Sequence, residues 1–488
     1  MNYTQNKSSC EVNSIQIIDK SQKISNIINK SSKKEEAKSF AFVSTSSALL
    51  GNREIGKPNS KFEHIYKKYL RKQISQYALT VGNTKKIDKY KKDGKSCLPK
   101  NKINGNLSFK KTIKTINKTL CSCGRDTHFM NDKKIVDIKE SGSSRRLKGL
   151  KSCGNNSACP VCASKLSAIR GNQLKELMEA GRKNSRSYMM VVSTIPHQPK
   201  EALEITLNQV IDMSRYIFNS KEYKAFKKIS QCRFVHGGLE NMVSFKNGLV
   251  DWHPHKNYLL DFDVSIPIVL KNLGLDYEIE LRMYVSKMMT KVGQRYLDRN
   301  NINKTLLTPF LQQEKSNNRL HVKAGVSASL EFDDSYIAKW GLDAEMTSGI
   351  YKDGRFSESF HPFNLLDFIH NENIETTKEQ KYQCIKAFQE FVVASKGKWW
   401  FYFGRGAIAF YNENYNTELK VKKDEEELLS LEDDGELIYF LEHQEWLDFE
   451  PNPKKIGYAL SLPTKKEVLE FIYEHIEANR IKKSTNGT

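Results

Sequence analysis

The dipeptide Asn247-Gly248 lies between two strand-like runs, "CRFVHGGLENMVSF" and "LVDWHPHKNYLLDFDVSIPI". Asn-Gly is the strongest short signal for a two-residue hairpin, because that turn needs positive φ at both central positions. A turn of this length sets the cross-strand partner of every residue on both strands. His255 then faces Glu240, His253 faces Met242, and Asn257 faces Gly238. Directly opposed residues bring their Cβ atoms to about 5 Å.

Strand parity sharpens this arrangement, since alternate residues share a face. One face carries Asp251, His253, His255 and Asn257. The other carries Trp252, Pro254, Lys256, Tyr258, Leu260 and Phe262, a mostly apolar set that suits a core. Glu240, His255 and His253 could therefore share one cation, with Gly238 leaving room beside Asn257. A mixed imidazole and carboxylate set with open positions suits Mn²⁺ or Mg²⁺ acting on phosphate oxygens. A surface hairpin with ordinary histidines satisfies the same residues.

Charge is distributed unevenly along the chain. Residues 1–120 hold 26 Lys and Arg against 8 Asp and Glu, an excess of 18 out of a net charge of +21. A basic arm on a nearly neutral body points to nucleic acid, whose counterions are released on contact. A solvated, Lys-rich tail is the competing reading. Mean hydropathy is −0.60, and no apolar run approaches the ~18 residues that span a bilayer. No membrane partner and a cytoplasmic location are the expectations.

Five of the nine cysteines fall between Cys121 and Cys162. An odd count in a chain without a secretion signal favours metal binding over disulfides. Cys153, Cys159 and Cys162 have C-x5-C-x2-C spacing, and "CPVC" resembles a zinc knuckle. Cys123 is the expected fourth ligand of a structural Zn²⁺, with Cys121 and His128 as substitutes. A set of reduced, unpaired thiols is the alternative.

Hydrophobic periodicity divides the chain into four parts. Residues 1–115 read as a basic, low-complexity arm, expected to be largely disordered, although Lys61–Leu79 has the spacing of a basic amphipathic helix. Residues 116–170 are the Cys-rich segment, 171–412 the main domain, and 413–488 a small acidic C-terminal domain of mixed helix and strand. A helix is expected after Cys162, with Leu166, Ile169, Leu174 and Leu177 on one side and Gly181 as its stop. Helices alternate with strands, so the expected class is α+β, a central antiparallel sheet flanked by helices.

"EFDDSYIAKWGLDAEMT" opens with Asp333, Asp334 and Ser335, which are good N-cap residues. Tyr336 and Lys339 are three apart and hence neighbours on a helix. A tyrosine attacks a phosphodiester once its proton is lost, and a nearby lysine can stabilise the charge. An amphipathic helix with Tyr336 and Trp340 in the core and Lys339 in solvent fits the same residues.

Taken in order, "GLKSCGNNSACPVCASKLSAIR", "VVSTIPH", "DWHPHKNYLL", "SYIAKWGLDAEMT", "FHPFNLLDF" and "ASKGKWWFYFGRG" resemble the plasmid-type rolling-circle replication initiators of the HUH endonuclease superfamily. The resemblance runs from about residue 120 to residue 405. It implies a metal-dependent endonuclease and strand transferase that nicks single-stranded origin DNA. The implied products are a 5′-phosphotyrosyl adduct and a 3′-OH that primes replication, with host helicase and DNA polymerase as partners. It assigns the nucleophile to Tyr336, the accompanying lysine to Lys339, and the metal ligands to His255, His253 and Glu240. The sequence departs from the family at two places. The family's W-H-P-H-x-H run has an apolar residue and a histidine where this chain has Lys256 and Asn257. The glutamate that some relatives carry four residues before the tyrosine is Phe332 here. Asn257 can offer a carbonyl oxygen, which favours a harder metal. Other readings are a relaxase or transposase with the same chemistry, or a non-catalytic, zinc-containing DNA-binding regulator.

Overall fold

The computed structural model describes residues 62–81, 105–126, 135–141, 144–199, 201–246, 248–313, 320–330, 359–370, 376–398, 400–419 and 435–485. Helices α1 (Glu63–Thr80) and α2 (Gly105–Ser122) come first, followed by strands β1 (Ile135–Ser141) and β2 (Ser144–Lys148). Helix α3 (Pro160–Lys183) leads to β3 (Ser187–Thr194), then α4 (Leu203–Asn219) and α5 (Lys221–Ser230). The long strands β4 (Cys232–Lys246) and β5 (Leu249–Phe262) precede α6 (Ile266–Leu273) and α7 (Glu278–Arg299). Three short strands follow, β6 (Phe310–Gln313), β7 (Leu320–Lys323) and β8 (Val326–Ser329). Next are α8 (Leu365–His370), α9 (Lys378–Ala394), β9 (Phe401–Tyr402) and α10 (Ala407–Tyr415). The chain finishes with β10 (Glu436–Glu442), α11 (His443–Asp448), α12 (Pro453–Ser461) and α13 (Lys465–Thr485).

The class is α+β. A five-stranded sheet has the order β8-β3-β5-β4-β9, and every neighbouring pair is antiparallel. Its centre is the β4–β5 hairpin. Lys246 pairs with Leu249, so two residues connect the strands, and Gly248 has φ +72°. The turn-based register holds: Glu240 pairs with His255, Met242 with His253 and Gly238 with Asn257.

Helices cover both faces of this sheet. On one face, Tyr258, Leu260 and Phe262 join a core with Val210, Met213 and Ile217 of α4 and with Leu281, Val285 and Met289 of α7. Trp252 lies further along the same face, stacked on Phe391 of α9 with ring centroids 6.5 Å apart. Its indole N–H donates to Glu390, which also accepts the Leu203 N–H at the start of α4. On the other face, Leu259 packs with Leu174, Leu177 and Met178 of α3 and with Ile408 and Tyr411 of α10.

Local geometry sets two helix boundaries. The run from Leu203 to Ser230 is two helices, because Ser220 is extended and caps α5 by accepting the Tyr223 N–H. Gly181 does not stop α3, which continues to Lys183. A Cβ at Gly181 would lie 1.8 Å from the Tyr188 hydroxyl and 2.9 Å from that of Tyr411, so close packing is what requires glycine there.

The expected domain divisions give way to shared cores. Helix α1 lies within the stretch read as an arm, yet Phe62, Ile65, Ile74, Ala78 and Leu79 are buried. An isolated helix of this length is marginal in water, and here packing stabilises it. Arg71 of α1 makes a two-pronged contact with Asp367 of α8, at 2.8 and 2.5 Å. Strand β1, from the Cys-rich segment, pairs with β10 from the C-terminal part. Phe62, Ile65, Val136, Leu441, Trp446 and Ile472 then form one core.

A buried ionic network fixes the far end of β5. The Asp261 carboxylate accepts from Arg186 at 2.7 and 2.9 Å and from the Tyr411 hydroxyl at 3.0 Å, with His236 Nε2 at 3.4 Å. Removing one member leaves the others charged or unpaired in a dry interior. Asp261→Ala is expected to lower unfolding stability by about 3–5 kcal/mol. A urea midpoint within error of the parent would show that the network contributes nothing.

His361, just before the turn Pro362–Asn364, is also enclosed, by Phe363, Phe391 and Trp400. Its Nδ1 accepts the Phe363 N–H. Burial, aided by the charge of Arg71, lowers its pKa to about 3. The unfolded chain's histidine titrates near 6.5, so between pH 6.5 and 3 the unfolded state holds the extra proton. This contribution is constant above pH 6.5 and falls by about 1.4 kcal/mol per pH unit below it. His361→Gln should make the acid side of the stability–pH profile shallower by one proton. Equal slopes for the two proteins between pH 6 and 4 would exclude this assignment.

Candidate functional site

The four expected cysteines meet. Cys123 follows α2, Cys153 lies in the loop after β2, and Cys159 caps α3, whose first turn holds Cys162. The Cys123 sulfur is 3.8 Å from that of Cys159 and 3.5 Å from that of Cys162, and Cys153 is 3.6 Å from Cys162. These spacings are far above the ~2.05 Å of a disulfide. All four sulfurs lie within 4.8 Å of one another, so they can hold a metal ion. Cys121, one of the proposed substitutes, instead directs its sulfur to Asn117. The other, His128, lies outside the described residues.

Local structure explains the convergence. Asn155 Oδ1 accepts the N–H groups of Ser157 and Ala158, shaping the turn between Cys153 and Cys159. Ser75 of α1 donates to the Ala158 carbonyl, and Lys72 donates to that of Cys123. Hydrogen bonds from Cys153, Cys159 and Cys162 hold the Cys123 thiol far below its usual range. Burial opposes the charge on Lys72, but the surrounding cysteines outweigh it and raise its pKa.

The histidine strand carries a second donor set. The fully buried Asp251 carboxylate lies 3.4 Å from His197 Nε2 and 3.4 Å from His253 Nε2. Lys246 approaches it to 2.5 Å, yet neither carboxylate oxygen has an aligned hydrogen bond. The His197 and His253 rings meet edge to face at 4.1 Å. Burial, then the neighbouring His197, lowers the His253 pKa to about 4. This group can also hold a metal ion.

His197 was not singled out from the sequence. Its position follows from β3–β5 pairing, in which Thr194 faces His255. The chain leaving β3 runs back along β5, so "TIPH" brings its histidine beside His253. The parity of one hairpin could not reveal a ligand supplied by a third strand.

The expected set of His253, His255 and Glu240 is divided. Among the described residues, acidic, histidine and cysteine donors form two groups with mutual separations within 4.8 Å, and Glu240 with His253 and His255 is neither. His253 turns to Asp251 and also contacts the Ser244 hydroxyl at 2.9 Å. Asn257 donates its amide to Glu240 across the hairpin at 3.2 Å. Besides the Asp251 carboxylate oxygens, Asn257 Oδ1 and His255 Nδ1 on this face are buried without hydrogen bonds. Burial outweighs the attraction of Glu240 and lowers the His255 pKa, keeping the imidazole neutral, the form that binds metals.

Tyr336 and Lys339 lie outside the described residues. Among the described helices, none is long and apolar enough to cross a membrane. No family model matches the chain, and no match was found among the curated proteins or the solved structures.

Proposed function

We propose that this chain is a replication initiator that nicks single-stranded origin DNA through Tyr336, in the manner of the plasmid-type HUH endonucleases it resembles. The observation that carries this reading is the β4–β5 register, which sets Glu240 beside His255 and Asn257 on one sheet face. On that face, His255 Nδ1 and Asn257 Oδ1 are buried without partners, and they are the atom types a divalent cation takes. Mg²⁺ or Mn²⁺ is the proposed ion, and the chemistry it supplies when bound is polarisation of a phosphate oxygen.

In this reading the Asn257 amide holds the Glu240 carboxylate in place and leaves its own carbonyl oxygen for the site. Tyr336 lies seven residues beyond Ser329, the end of β8. Seven residues span at most about 23 Å, and β8 is two strands, about 10 Å, from β5. Lys339 would offset the charge of the attacking phenolate or the scissile phosphate.

The four-cysteine centre is proposed to hold structural Zn²⁺. A tetrahedral zinc with bonds of about 2.3 Å separates its sulfurs by about 3.8 Å, close to the spacings found. Incubation with single-stranded origin DNA and Mn²⁺ or Mg²⁺ should give a covalent protein–DNA adduct. Its absence with either ion would leave a zinc-containing DNA-binding regulator. The Asn257–Glu240 hydrogen bond, which pairs the two side chains without a cation, is the observation favouring that second reading.

A further inference from the structure

The Asp251 carboxylate is fully buried, yet neither of its oxygens has an aligned hydrogen bond. One oxygen lies 3.4 Å from His197 Nε2, the other 3.4 Å from His253 Nε2. The two imidazole rings meet edge to face with centres 4.1 Å apart. One ligand atom from each of the three residues falls within 4.8 Å of the others. Neither His197 nor Asp251 is among the ligands that the family resemblance assigns.

The spacing is that of a coordination shell. A four-coordinate ion with nitrogen and oxygen bonds of about 2.1 Å holds its ligand atoms about 3.4 Å apart. An imidazole nitrogen must also present a lone pair. The Ile195 carbonyl lies 3.4 Å from His197 Nδ1. A carbonyl only accepts, so the proton sits on Nδ1 and Nε2 faces Asp251 unprotonated. At His253 the Ser244 hydroxyl stands 2.9 Å from Nε2 and can donate to the same lone pair. A hydroxyl turns about a single bond and yields to an ion.

Asp251 already attracts a cation. A buried carboxylate is costly unless its charge is paired. The Lys246 ammonium supplies that charge from 2.5 Å, on a side chain that is 56% exposed. Lys246 directly precedes the Asn247-Gly248 turn, so its side chain can swing into solvent when an ion takes its place. The His197 and His253 side chains are 14% and 17% exposed, which gives an ion a path in.

We propose that His197, Asp251 and His253 bind a divalent transition metal such as Zn²⁺, at a site distinct from that of Glu240, His255 and Asn257. Two imidazoles with one carboxylate suit zinc, iron or nickel, whereas oxygen-rich sets suit magnesium. Three protein ligands leave a fourth position for water or a phosphate oxygen, the pattern of catalytic rather than structural zinc. The ion also ties the chain leaving β3 to β5, so its binding stabilises the folded state. The inference does not rest on nicking, because neither Tyr336 nor His255 takes part.

Cobalt spectroscopy tests this site. The full chain is loaded with zinc, cleared of exchangeable metal on a chelating resin, and titrated with Co²⁺. Cobalt held by nitrogen and oxygen gives visible bands without the intense thiolate charge transfer that the cysteine centre would add. Such bands should appear and saturate, and the melting temperature should rise with them. His197→Ala and Asp251→Asn should each weaken cobalt about a hundredfold or more, beyond the loss for a supporting residue. Lys246→Met should tighten it about tenfold, because the ion no longer displaces a charge. His255→Ala should leave the affinity unchanged, which separates this site from the nicking metal. Thermal melts check that each variant is folded, and the gain in Lys246→Met is one that misfolding cannot produce. Cobalt bands that appear only together with thiolate charge transfer would overturn the site. So would equal affinity in a folded His197→Ala, or a loss in His255→Ala alone.

Discussion

Cys159→Ser combined with Cys162→Ser is expected to release bound zinc and to abolish the cooperative unfolding transition. Structural zinc sites contribute on the order of 10 kcal/mol of metal-coupled folding free energy near neutral pH. That matches or exceeds the whole stability of many domains. Here the loss would spread, because Cys123, Cys159 and Cys162 belong to a core with Ile74 and Leu79 of α1, Ile116 of α2, Leu166 of α3 and Phe388 of α9. Without an ion the cysteines crowd at 3.5–3.8 Å, and hydrogen bonding that favours negative charge on Cys123 pushes the Cys153 and Cys162 thiols up. Metal analysis of the purified protein and a chelator titration followed by circular dichroism provide the check. Unchanged zinc content in the double variant would refute the centre.

Tyr336→Phe is expected to remove the covalent DNA adduct completely, since no other atom of that side chain can attack phosphorus. His255→Ala is expected to lower nicking by about 10²–10³-fold, the scale of losing one stabilising group at a developing charge. The two variants fail differently. Tyr336→Phe should retain origin binding and gain nothing from added metal. His255→Ala should recover part of its rate at high Mn²⁺, because a weakened site is filled by mass action. Asn257→His adds an imidazole to the Glu240 and His255 side of the hairpin and is expected to raise activity at low metal. An adduct that persists in Tyr336→Phe would assign the nucleophile elsewhere. Loss of origin binding in His255→Ala, in a folded protein, would place that residue in docking.

Different parts of the site were legible to different degrees. The hairpin was read correctly because its information is local: Asn247-Gly248 sets the loop length, and parity does the rest. The cysteine centre was readable because "CPVC" places two thiols one helical turn apart, and Cys123 was the nearest upstream candidate. His197 was missed because its partnership depends on which strand lies beside β5, which no local pattern encodes. The same limit explains the division of the metal set. Parity placed His253 and His255 on one face, but the approach of Asp251 and His197 drew His253 away from Glu240.

By itself, the sequence determined the α+β class, the hairpin register, the four cysteines that meet and the face that carries the histidines. These follow from periods of two and 3.6 residues, turn geometry and ligand spacing, all of which operate over short stretches. Tertiary structure decided that α1 is core, that β1 pairs with β10 across some 300 residues, and that Asp251 gathers two histidines. It also placed Lys256 among tyrosine rings. Each of these depends on contacts between segments distant in sequence. Their energies come from burial and from pairing buried charge, quantities that exist only once the chain has closed on itself.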